Sequence, residues 1–175
     1  LISKICEEYK VQQFIQLSAL GIDSAKDSNY AKSKLEGEIN IRENFSKAII
    51  LRPSVVYSVD DKFTTTFMTL LNRLPIFPLY YNGNTKFMPL HCSDITEIIY
   101  QVISKNITAT TIECIGPEII SLKNILQRLL KIINKKRLFI SLPLPIAKLS
   151  ANIFQLLPKP PLTLDQLSLL KYDNV

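Results

Sequence analysis

Tryptophan is missing from the 175-residue sequence, histidine occurs once, methionine twice, cysteine three times and glycine four times. Each scarcity excludes something. A single histidine, His91, cannot supply a multi-imidazole metal site. Cys6, Cys92 and Cys114 are an odd count with no C-x-x-C pair, so neither a disulfide framework nor a zinc ribbon is indicated, and a reducing compartment is the natural inference. His91 and Cys92 are neighbours on an expected strand and would point to opposite faces, which spoils a Cys–His dyad and leaves packing or hinge roles. The four glycines, Gly21, Gly37, Gly83 and Gly116, nowhere form G-x-x-G-x-x-G, the turn that lets backbone N–H groups cradle a dinucleotide's phosphates. No apolar run of about eighteen residues occurs, so no helical membrane span is expected. No signal peptide is visible. The chain opens at Leu1 and closes at Val175 directly after a helical-looking stretch, so both ends read as cuts through a longer polypeptide, with the phosphate-cradling turn expected upstream.

What is present is a globular composition. Hydrophobic residues make up 47% and charged residues 21%, enough for one compact domain, or for one and a half sharing a core. The net charge of +6 is spread along the chain, with one short cluster at Lys135, Lys136 and Arg137. Such scatter gives no support to nucleic-acid binding, and no DNA partner is expected; attraction to anionic lipid headgroups stays open. There is no internal repeat and no low-complexity tract.

The order of patterns is informative. "KVQQFIQLSALG" (10–21) reads as a strand ending in small residues, with Gly21 as a breaker. "YAKSKLEGEINIRENF" (30–45) has helical spacing, with Ser28 or Asn29 as N-cap and Leu35, Ile39 and Phe45 on one face. Gly37 inside it would permit close approach of another backbone. "KAIILRPSVVYS" (47–58) has the length and branching of a strand buried on both faces. Strand, helix, strand is a βαβ unit, so an open parallel sheet is expected. Beyond residue 58 come a helix in "DDKFTTTFMTLLNRL", two short strands around an Asn82–Gly83 turn, and a helix at 94–104. A strand at 110–118, an amphipathic helix at 121–135, a strand in "RLFISLPLP" and a helix at 146–157 complete the series. Two interleaved lobes are expected: 1–58 as one unit and 59–175 as a smaller lobe, with about 86–105 returning to the first sheet.

Within the βαβ unit, Tyr30 and Lys34 are four residues apart and share a helix face. Spacing alone carries little information, because lysine and tyrosine are common here. A cation near a phenol favours the phenolate and brings a group that ionises near pH 10 closer to acid–base work at neutral pH. In an open parallel sheet the crevice lies beyond the carboxyl ends of the strands, where Ser18 and the helix start at Tyr30 would both be placed.

"QLSALG", then "YAKSK" twelve residues after Ser18, then "ILRPSVVYS" together resemble the later half of an extended or atypical short-chain dehydrogenase/reductase, the NAD-dependent epimerase/dehydratase group. "KFMPLHCSDITEII" and "TIECIGPEIISLKNIL" are similar to later segments of that group. Within it, "LSALG", "LRPSVVYS", "PLPIAKL" and "PLTLDQLSLLKYDNV" resemble the nucleotide-binding accessory subunits of respiratory complex I and their bacterial relatives. Ser58 stands where the group usually has glycine.

The resemblance implies an α/β fold, the C-terminal part of a Rossmann-type doubly wound parallel sheet with a smaller α/β substrate lobe. It implies NAD or NADP as cofactor, Tyr30 as general acid/base, Lys34 as the group that holds the nicotinamide ribose and lowers the phenol's pKa, and Ser18 as the group that steadies a substrate carbonyl or hydroxyl. Pro53, Ser54 and Val55 would pass the nicotinamide ring. The role it implies is an accessory or assembly subunit of NADH:ubiquinone oxidoreductase, holding the dinucleotide structurally and bound to complex I subunits. Its location would be the matrix side of the mitochondrial inner membrane or the cytoplasmic face of the bacterial one, with 142–162 as a peripheral membrane contact. The alternatives are a free-standing NAD(P)-dependent oxidoreductase or epimerase acting on a sugar nucleotide, sterol or similar alcohol, and an RNA-binding Rossmann protein.

Overall fold

Alternating apolar patterns become alternating strands and helices, and the computed structural model describes them for residues 2–154 and 163–175. A short helix, α1 (Ile2–Glu8), ends in a turn at Lys10, whose φ of 51° is left-handed. That turn takes the first residues of the expected strand out of the sheet and leaves β1 as Ile15–Leu17. Helix α2 (Asn29–Asn44) starts where Ser28 accepts from Ala31 N at 3.2 Å, so Ser28 is the N-cap. Strand β2 (Ile49–Pro53) runs parallel to β1 in the register Ile15↔Ile49 to Leu17↔Leu51. Ile49, Ile50 and Leu51 are fully buried, and since successive side chains alternate faces, both faces of the sheet are covered.

The expected apolar face of α2 needs correcting. Phe45 is buried against Phe14, edge to face at 5.9 Å, and Leu35 packs beside Ala31, but Ile39 is 57% exposed. The buried positions of the helix are Ala31 and Glu38. Glu38 is taken up by Arg52 of β2, with contacts of 2.6 and 3.0 Å. Gly37 meets nothing within 4 Å, so no backbone approaches it.

Beyond β3 (Val56–Tyr57) comes helix α3 (Lys62–Arg73), then β4 (Ile76–Leu79), a 3-10 turn at Tyr80–Gly83, β5 (Lys86–Phe87), β6 (Leu90–His91), α4 (Cys92–Ser104) and β7 (Thr111–Cys114). Strand β7 completes the parallel sheet in the order β1-β2-β7, pairing from Ile50↔Thr111 to Pro53↔Cys114. Ile95 and Val102 of α4 pack on it with Ile49, Leu51, Leu90 and Cys114. His91 ends β6 and caps α4: its Nδ1 accepts from Ser93 N, while Asp94 accepts from His91 N at 3.1 Å. Cys92 is the exposed first residue of that helix.

The remaining elements are β8 (Ile120–Ser121), α5 (Leu122–Ile132), β9 (Leu138–Ser141), α6 (Leu144–Phe154) and α7 (Leu164–Leu169). Leu122, Ile125, Leu126 and Leu129 of α5 form a second core with Leu71, Phe77, Leu79 and Phe87. The strands around Asn82–Gly83 do not form a hairpin. Strand β4 pairs in parallel with β9, and β5 pairs antiparallel with β8. Tyr81, Asn82 and Gly83 all have positive φ (49°, 58° and 68°), so the chain coils through a left-handed turn instead of reversing on itself. No described helix is long and apolar enough to cross a membrane. Of the stretch 142–162, residues 155–162 lie outside the described residues.

Candidate functional site

The carboxyl ends of β1 and β2 are where the sequence-predicted residues collect. Leu17 ends β1, and Ser18 N continues the ladder by donating to Leu51 O at 2.7 Å. Lys34 reaches from the second turn of α2 and donates through Nζ to Leu17 O at 3.3 Å, which fixes the amine at the strand end beside Ser18. The same amine stands over the Tyr30 ring, 5.7 Å from its centroid, so two adjoining turns present phenol and amine together. Tyr30 is half-exposed, and burial pushes its phenol above the ordinary value of 10. That is the opposite of the lowering expected from Lys34, because the amine contacts the ring face and desolvation of the phenolate dominates.

Ser18 is 6% exposed, and among the described residues its Oγ is a buried side-chain oxygen with no hydrogen-bond partner. Leaving a buried hydroxyl unpaired costs about 1–3 kcal/mol, a cost that a ligand hydroxyl, carbonyl or carboxamide removes. The Tyr30–Lys34 pair and this hydroxyl thus meet the carboxyl end of β1 at adjoining residues, Leu17 and Ser18. Among the described residues no group of three or more His, Cys, Asp or Glu could hold a metal ion.

Pro53, Ser54 and Val55 lie at the end of β2, and several of their polar groups bond within the protein. Pro53 O accepts from Leu20 N at 2.9 Å, Ser54 N donates to Cys114 O at 2.9 Å, and Val55 O accepts from Leu90 N at 3.0 Å. Ser54 is buried; its Oγ donates to Asn174 Oδ1 at 2.6 Å and accepts from Met88 N at 3.2 Å. These residues tie the sheet to the second core and to the C-terminal segment.

Two residues of that segment escape sequence reasoning. Asp165 of α7 lies on the N-terminus of α2, where its carboxylate accepts from Ser28 Oγ (3.1 Å), Asn29 N (2.6 Å) and Tyr30 N (3.2 Å). The turn that carries Tyr30 is thus held from more than 130 residues away. Asn174 donates to Leu20 O at 2.7 Å while also meeting Ser54, so it bridges the ends of β1 and β2. The one local signal was the Thr163–Gln166 capping box, which starts α7 but says nothing of what Asp165 reaches.

No protein-family model matches the chain. Among solved structures, a dTDP-glucose 4,6-dehydratase from Streptomyces venezuelae superposes with a TM-score of 0.67 at 16% identity, over 80% of this chain and 51% of that one. A UDP-glucuronic acid 4-epimerase from Bacillus cereus gives 0.66 at 22% identity, over 99% of this chain and 60% of that one. The chain therefore has the Rossmann-type α/β fold of the epimerase/dehydratase group. In sequence it is distantly related to a particular branch of complex I proteins. It is 28% identical over 167 residues to NADH dehydrogenase (ubiquinone) 1 alpha subcomplex subunit 9, mitochondrial, of Mus musculus, covering 93% of this chain and 43% of that protein. The protein of the same description from Arabidopsis thaliana is 24% identical over 143 residues, 81% of this chain and 36% of that protein. A ceramide reductase of Caulobacter vibrioides is 36% identical over 82 residues, 47% of this chain and 26% of that one. The chain spans less than half the length of each of these sequence relatives.

Proposed function

We propose that this chain is the later part of an NAD(P)-binding oxidoreductase or epimerase acting on an alcohol or ketone, such as a sugar nucleotide or a sterol. The observation that carries this reading is the meeting of Lys34 Nζ with Leu17 O at the strand end, over the Tyr30 ring and one residue before Ser18 with its unpaired hydroxyl. The cofactor, when bound, accepts or returns the hydride. Lys34 would donate to the ribose, Ser18 would bond the substrate oxygen, and the Tyr30 hydroxyl would give or take the proton at that oxygen. A phenol is protonated at neutral pH, and burial raises this one further, so its resting role is donor and the proton-abstracting direction is favoured at high pH. The structural neighbours named for NAD-bound epimerases and dehydratases support the cofactor class. The test is hydride exchange between NAD(P)H and added ketones by the full-length protein. It is expected in wild type and absent in Tyr30→Phe with cofactor affinity kept; activity surviving in Tyr30→Phe overturns the reading.

A second reading has its own observation: several sequence relatives are complex I subunits. In it the same residues hold the dinucleotide structurally in an accessory subunit of NADH:ubiquinone oxidoreductase, at the membrane-facing compartments expected from the sequence. Its test is co-purification with complex I subunits and an assembly that Tyr30→Phe leaves unchanged. Assembly of complex I to normal levels without this protein overturns it.

A further inference from the structure

The groove between the end of α5 and β9 is independent of the strand-end site and shares no residue with it. It is a shallow groove open to solvent, with a volume of about 540 Å³, lined by the cations Arg128, Lys131, Lys135, Lys136 and Arg137, with the carboxamides of Asn124 and Gln127 beside them. No carboxylate lines it. Glu118 pairs with Arg128 at the groove's edge, leaving four cations without an acidic partner among the described residues. Two of these are held in place. Arg137 donates to Leu71 O (2.7 Å) and Asn72 O (3.1 Å), and Lys135 donates to Asn72 O (3.3 Å), so the last carbonyls of α3 fix both side chains. Lys131 and Lys136 are exposed and make no ion pair among the described residues. Like charges gathered in one concavity raise the local potential and repel one another until an anion enters. An ordinary solvated surface would intersperse both signs.

We infer that this groove binds phosphate esters, either a soluble phosphorylated molecule or the headgroups of an anionic bilayer. The ammonium groups of Lys131 and Lys136 have open donors for phosphate oxygens, while the charges of the anchored Arg137 and Lys135 and the neutral amides of Asn124 and Gln127 flank them. RNA is less well matched, because Phe139 is the sole aromatic lining residue and stacking platforms for successive bases are lacking.

The test titrates the full-length protein with inorganic pyrophosphate. In parallel it is floated with phosphatidylcholine vesicles made with and without phosphatidylglycerol. The variant Lys131→Gln/Lys136→Gln spares the groups that cap α3, and Lys4→Gln/Lys26→Gln removes equal charge elsewhere. Each groove lysine is worth about fivefold, so the groove variant should weaken binding about twenty-five-fold and the control less than about twofold. Saturable pyrophosphate binding assigns the soluble ligand, and flotation only with phosphatidylglycerol assigns the headgroup surface; both support the inference. Failure of both probes, equal losses in the two variants, or tighter, length-dependent binding to an RNA oligonucleotide would overturn it.

Discussion

Asp165→Ala removes the carboxylate that closes the start of α2, and the structure sets the size of the effect. Three donors lose their acceptor: the fully buried Ser28 hydroxyl and the exposed N–H groups of Asn29 and Tyr30. Water can replace the acceptor for the two exposed amides but not readily for the buried hydroxyl. Hydrogen bonds to a charged group contribute about 1.5–3 kcal/mol and an anion at a helix N-terminus about 0.3–1 kcal/mol, so with partial replacement by water the net loss is about 2 kcal/mol. For a domain of this size that lowers Tm by about 4–8 °C. The local signature is more specific: amide hydrogen exchange should accelerate at Asn29, Tyr30 and Ala31, with Asp165→Asn intermediate because it keeps one acceptor oxygen. Dinucleotide affinity should fall with it, since the same turn aims Tyr30. Unchanged exchange at residues 29–31 together with a Tm shift below about 1 °C would refute the reasoning.

Arg52→Ala strands the buried Glu38 carboxylate and should cost about 3–5 kcal/mol in denaturant unfolding, whereas Asp23→Asn, at an exposed partner, should cost under about 1 kcal/mol. At Asp61, burial alone would raise the carboxyl, but hydrogen bonds from the Thr64 hydroxyl and from the N–H groups of Thr64, Ser58 and Phe63 outweigh it and hold the group below its ordinary 3.8. The stability it contributes is therefore present above that value and lost as pH falls through the lower folded pKa; Asp61→Asn should flatten this part of a stability–pH curve. Gly116→Ala would place a Cβ 1.7 Å from Pro89 O, a backbone atom that cannot step aside, so a loss above about 3 kcal/mol is expected in thermal unfolding.

The parts of the fold legible in the sequence were those written locally. Ser28 before a helical run, and Ile49 to Leu51 as an apolar block, each specify an element without help from afar, and so the βαβ unit could be read off. The two short strands around Asn82–Gly83 are present, but β4 finds its partner in β9, some sixty residues on, and β5 in β8, while left-handed φ values at three successive residues carry the chain through a coiled turn. Ile39 was misplaced because Glu38, one position away, takes the buried site through its pairing with Arg52. Near the strand end, the shared helix face of Tyr30 and Lys34 was legible from their four-residue spacing, whereas Ser18 stood out only through the flanking phrases that carry the family resemblance. Asp165 and Asn174 were not, since a carboxylate or a carboxamide in a C-terminal segment carries no mark of the strand end or helix start that it will reach. Nor could spacing reveal that the amine would face the Tyr30 ring, with burial setting the direction of the phenol's shift.

The central claim is that Lys34 and Tyr30 meet a nicotinamide ribose at the carboxyl end of β1. Fluorescence titration of the full-length protein with NADH and NADPH, wild type against Lys34→Ala, tests it most directly. Losing a charge-assisted donor to the ribose should weaken binding about ten- to a hundredfold while the unfolding midpoint hardly moves. Equal affinities in the two proteins would contradict the account.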